Sequence, residues 1–60
     1  MDPNATLTDI ATALMDGDLN EANYLAEDLA EWLRKGGFVP TNWDQYREAA
    51  LLVCRTLGAT

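Results

Sequence analysis

Apolar residues recur along the chain at helical spacing in three stretches. Leu7, Ile10, Ala11, Leu14 and Met15 follow the i, i+3, i+4, i+7, i+8 pattern that places side chains on one helical face. Asp2 and Pro3 supply an N-cap and a first-turn proline ahead of them, and Gly17 supplies a residue able to enter the left-handed region behind them, which predicts a helix over about 3–15. Leu19, Ala22, Leu25, Ala26, Leu29, Ala30, Trp32 and Leu33 hold a second stripe. Asp18 and Glu21 have capping-box spacing at its start, while Arg34, Lys35 and Gly36-Gly37 close it, so a helix is expected over 19–35.

Phe38-Val39-Pro40 reads as a short apolar connector whose first two residues are expected to plug the end of a helical bundle. Thr41 or Asn42 can then cap a third helix, expected over 42–57, in which Trp43, Tyr46, Ala50, Val53, Cys54 and Leu57 share a face before Gly58. No stretch alternates as a strand would. The pattern therefore predicts an all-α fold, a small three-helix bundle forming one helical domain over 1–60, with a core of Ile10, Leu14, Leu25, Leu29, Trp32, Leu33, Trp43, Tyr46, Val53 and Leu57.

Two leucines do not fit that scheme. At ~100° per residue Leu52 is expected nearly opposite the core stripe of the third helix and Leu51 at its margin, more apolar surface than one bundle covers. The bundle is accordingly expected to be completed by homodimerisation through helix 3, a common resource of small domains. Tyr24, on the polar back of the second helix, is a further exposed aromatic.

Length and composition remove several functions. A 60-residue chain buries only ~60% of its unfolded surface, too little for a deep cleft walled by several elements. It contains no His, which takes away the commonest general base and metal ligand, and its single Cys54 can form neither an internal disulfide nor a cysteine-rich zinc site. Cys54 is read as a buried packing residue of the third helix. The expectation is a protein that is not an enzyme and carries no cofactor and no metal. The lone cysteine and the absence of a secretory signal pattern point to a cytoplasmic location, and the longest apolar run, Ala49–Cys54, is far short of the ~20 residues of a membrane span.

Three patterns resemble motifs without meeting their chemical requirements. Asp16, Asp18, Asn20 and Glu27 fall at the first, third, fifth and twelfth positions of an EF-hand calcium loop, but Glu21 occupies the position reserved for glycine, and the register overlaps the second helix. A calcium-dependent module is thus the weakest reading. Asn4-Ala5-Thr6 fits the glycosylation acceptor pattern, which has no meaning without secretion. A helix-turn-helix regulator is the alternative reading for three short helices, yet the start of the third offers Asp44 and Glu48 around one Arg47, and phosphate repulsion argues against direct nucleic-acid binding.

Charge is segregated within the net -6. Residues 1–33 carry eight acids and no base, whereas residues 34–60 carry four bases and two acids. Asp9 and Asp16 of the first helix with Glu27, Asp28 and Glu31 of the second are expected to form an acidic face, with Tyr24 as its apolar anchor, suited to a protein partner with a basic surface. The candidate interaction residues are thus Tyr24, Glu27, Asp28, Glu31, Leu51 and Leu52.

The stretch Asp16-Gly17-Asp18-Leu19-Asn20-Glu21-Ala22, followed by Leu29-Ala30-Glu31-Trp32-Leu33-Arg34-Lys35-Gly36-Gly37-Phe38-Val39-Pro40, resembles short acidic helical accessory proteins of bacteriophages and prophages. The resemblance implies a small regulator, adaptor or inhibitor that acts on a host protein in the host cytoplasm. It carries over no catalytic or binding residue.

Overall fold

The computed structural model describes residues 1–58. Three helices follow one another, α1 (Pro3–Met15), α2 (Leu19–Arg34) and α3 (Arg47–Gly58), and each packs on the other two; among the described residues there is no strand. The all-α three-helix bundle is as the apolar pattern predicts. No described helix is long and apolar enough to cross a membrane.

Local chemistry sets the first two helices almost residue by residue. The Asp2 carboxylate accepts from the backbone N–H groups of Asn4 (3.0 Å) and Ala5 (3.3 Å), satisfying two of the free donors at the start of α1. At its other end Gly17 adopts φ 75°, so that Gly17 N–H reaches Leu14 O (3.2 Å) and Asp18 N–H reaches Ala13 O (2.9 Å), the paired bonds of a left-handed glycine stop. Asp18 then opens α2, its carboxylate accepting from Glu21 N–H at 3.1 Å. The expected capping box is therefore made in one direction only, because the Asp18 N–H that Glu21 would have received already closes α1.

Gly36 (φ 88°) ends α2 in the same way, with Gly36 N–H on Leu33 O and Gly37 N–H on Trp32 O. Gly37 is needed for a second reason: a Cβ there would collide with the Trp32 indole. That indole turns over the connector, donates from Nε1 to Phe38 O (3.1 Å) and meets the Phe38 ring edge-on at 5.7 Å.

The core is smaller-grained than the stripes imply. Leu7, Ile10 and Ala13 of α1, Ala22, Ala26 and Leu29 of α2, and Ala49 and Val53 of α3 form the buried cluster. Of the ten expected core residues only Ile10, Leu29 and Val53 are fully buried; Leu14, Leu25, Trp32, Leu33, Trp43, Tyr46 and Leu57 are half-buried and pack around it. Alanines at the crossing points let the helix backbones approach closely, and in so small a bundle the larger side chains can only surround that contact. Met15 and Leu19, both on predicted stripes, lie at the α1–α2 turn and are 88% and 61% exposed.

The third helix departs most from expectation. It begins at Arg47 rather than at 42, and residues 41–46 form turns. The two residues expected to cap it are engaged elsewhere: Thr41 N–H donates to Asn4 Oδ1 (2.7 Å), and Asn42 Nδ2 donates to Asn4 O and Thr8 Oγ1, both at 3.2 Å. The connector is thereby clasped to α1, and Asn4 serves this clasp. Pro40 is buried while Phe38 and Val39 are exposed, so the expected Phe38-Val39 plug is not made. At the C-terminal end of α3 Arg34 of α2 donates to Thr56 O at 3.1 Å, satisfying a terminal carbonyl of that helix.

α3 is also rolled about its axis relative to the predicted stripe. Ala49, Ala50 and Val53 are its buried residues and Cys54 is exposed, which shifts the inward face by roughly 40° at ~100° per residue. The roll corrects three expectations at once. Cys54 is not a core residue; Leu52, expected opposite the core, is half-buried against it; Leu51, expected at the margin, is 62% exposed.

Candidate interaction surfaces

Three regions of the surface have a distinct chemistry. The outer face of α2 presents Tyr24, 64% exposed, with Glu21, Glu27, Asp28 and Glu31 placed three, four or seven residues from it and all exposed. On a helix such neighbours share one side, so the ring stands among carboxylates. Among the described residues the one ion pair of the chain, Lys35 Nζ to Glu31 Oε1 at 3.3 Å, is at the C-terminal edge of this face and itself solvent-exposed.

The second region is a shallow hollow of ≈ 240 Å³ between α1 and α2, lined by Asp9, Asp16, Asp18 and Glu21 with Thr12 and Leu25. Asp9 and Asp16, expected to form an acidic face with Glu27, Asp28 and Glu31, line this hollow together with Asp18 and Glu21. The signal for this grouping lies in the length of the connection. A three-residue turn makes α1 and α2 an antiparallel pair, so the end of one must adjoin the start of the other.

The third region is apolar. A hollow of ≈ 380 Å³ is lined by Leu14, Leu19, Leu51 and Leu52, with Glu48 and Arg55 beside them. Leu51 also borders a smaller hollow of ≈ 180 Å³ that includes Trp43 and Cys54, and so forms a ridge between the two. Leu14 and Leu19 belong to this surface although the sequence pattern assigned them inward-facing positions.

Cys54 is exposed, and the chain has no histidine to place beside it. The EF-hand register is occupied by helix from Leu19 onward, so Asn20 and Glu27 stand about two turns apart along α2 instead of in a loop folding back on itself. Among the described residues no three His, Cys, Asp or Glu side chains are grouped as metal ligands. Comparison of the chain with protein-family models, with curated proteins and with solved structures gives no match in any of the three.

Proposed function

We propose that the protein is a non-enzymatic regulator, adaptor or inhibitor that docks the outer face of α2 on a basic surface of another protein. The observation that carries the reading is Tyr24: a 64%-exposed aromatic ring on a helix, ringed by acids, in a segment of 33 residues without a single base. Carboxylates speed encounter with a basic partner, and an exposed tyrosine supplies the desolvated anchor from which affinity is drawn. The resemblance to phage accessory proteins supports a host protein as the target and the host cytoplasm as the place.

A helix-turn-helix reading has less support. α2 and α3 are separated by residues 35–46, much longer than the three or four residues of that motif, and the short α1–α2 turn would present the acidic face of α2 to phosphates. Self-association through α3 is a second part of the proposal, supported by the exposed Leu51 and its apolar surroundings.

The test is affinity capture from the source cell with immobilised wild-type chain and with Tyr24→Ala. A protein retained by the first and bound about tenfold or more weakly by the second is the expected result. Equal binding of every captured protein by the two chains would overturn the role of this face.

A further inference from the structure

Glu48, Leu51, Leu52 and Arg55 stand at i, i+3, i+4 and i+7 on α3, a second stripe in which Leu52 is half-buried against the core and the other three are exposed. All four line the ≈ 380 Å³ hollow that Leu14 and Leu19 extend. The order along the helix is acid, leucine, leucine, base, and its two charged members are about 10 Å apart along the axis, at 1.5 Å per residue. Among the described residues neither Glu48 nor Arg55 has an ion-pair partner.

That order is its own complement when read backwards. We infer that this surface pairs with a second copy of the chain about a two-fold axis, α3 against α3 and antiparallel, with Leu51 of one copy against Leu52 of the other and Glu48 facing Arg55 of the other copy at both ends. The inference rests on the self-association reading and gives it a geometry. A two-fold interface repeats every contact, so one Glu–Arg match becomes two flanking a leucine centre. A parallel pairing would set Glu48 against Glu48 and Arg55 against Arg55, and like charges placed opposite one another oppose association. The exposed Leu51 ridge then enters the hollow that Leu52 borders in the other copy, burying apolar surface that a single bundle leaves in water.

Sedimentation equilibrium of the whole chain tests both levels. The wild type is expected to show a monomer–dimer equilibrium, and Leu51→Glu to abolish it. Glu48→Arg and Arg55→Glu are each expected to weaken the homodimer by about tenfold or more, since either swap turns both matches into like-charge contacts. An equimolar mixture of these two variants is expected to recover dimer, because each copy then offers what the other lacks. Circular dichroism verifies that helical content is retained in every variant.

A wild type that stays monomeric at all accessible concentrations, or a dimer that survives Leu51→Glu, overturns self-association through α3 and with it the geometry. A dimer lost in Leu51→Glu but indifferent to both charge swaps overturns the antiparallel register alone. Recovery in the mixture, and not in either variant by itself, supports the proposed pairing.

Discussion

Glycine at position 37 is fixed by contact rather than by backbone conformation. Gly17, at φ 75°, has open space where a side chain would begin, so Gly17→Ala meets only the left-handed penalty of roughly 1–2 kcal/mol. At Gly37 a methyl group would enter the Trp32 indole, and relief requires moving a ring held by both Phe38 O and the Phe38 side chain. Gly37→Ala is therefore expected to lower the thermal midpoint and to red-shift the tryptophan emission as Trp32 is displaced toward solvent, whereas Gly17→Ala lowers the midpoint and leaves the emission unchanged. The sequence marks both positions as helix stops. It does not reveal the second requirement, because an indole folded over a connector leaves no periodic trace.

Among the elements, legibility follows how local the determining interactions are. α1 and α2 were readable because their boundaries are written in neighbouring residues: Asp2, Gly17, Asp18 and Gly36 act within a turn of where they stand. The start of α3 was not readable, since Thr41 and Asn42 are good capping residues that the fold spends on Asn4 and Thr8, more than thirty residues away. The roll of α3 escaped for a related reason. Periodicity weights bulky side chains, and the roll brings in the buried Ala49, whose small size gives little signal. The same limit governs the candidate surfaces, for Tyr24 and its acids could be placed from one helix while the Leu14–Leu19–Leu51–Leu52 hollow needed all three.

The clasp between the connector and α1 makes its own prediction. Asn42 orients its Nδ2 toward Asn4 O because a carbonyl can only accept, and this leaves the buried Oδ1 without a partner in the described residues. Asn42→Ala is expected to cost about 1–2 kcal/mol in urea denaturation through loss of two hydrogen bonds. Asn42→Asp should cost more at neutral pH, since it sets a carboxylate against the same carbonyl oxygen and adds a charge to a half-buried site. If Asn42→Asp were as stable as the wild type, the clasp would not hold the connector.

At the scale of the whole molecule the charge distribution is lopsided: acids gather on α1 and α2, and all four bases lie from Arg34 onward. A partner that reads this asymmetry through α2 should bind with a rate that falls as salt rises, over a Debye length of ~8 Å at physiological ionic strength. The triple variant Glu27→Gln, Asp28→Asn, Glu31→Gln is expected to associate more slowly with a captured partner and to flatten the salt dependence, with dissociation changed less. Stopped-flow association across a salt series measures this. An unchanged slope would reduce the acidic face to a solvated surface.

Asp18 serves two helices, its N–H completing the stop of α1 and its carboxylate starting α2. The two helices consequently share a nucleus: neither end can be finished without fixing the other, and every residue involved lies within nine positions of sequence, from Ala13 to Glu21. Contacts so local are cheap to close in the unfolded chain, whereas Arg34 must find α3 across more than twenty residues. The consequence is an order of events in time, with the α1–α2 hairpin assembling first and α3 docking onto it. In stopped-flow refolding, Asp18→Ala should slow folding by nearly its full equilibrium cost, while Arg34→Ala should leave the folding rate almost unchanged and accelerate unfolding. Equal partitioning in the two variants would mean that all three helices condense together.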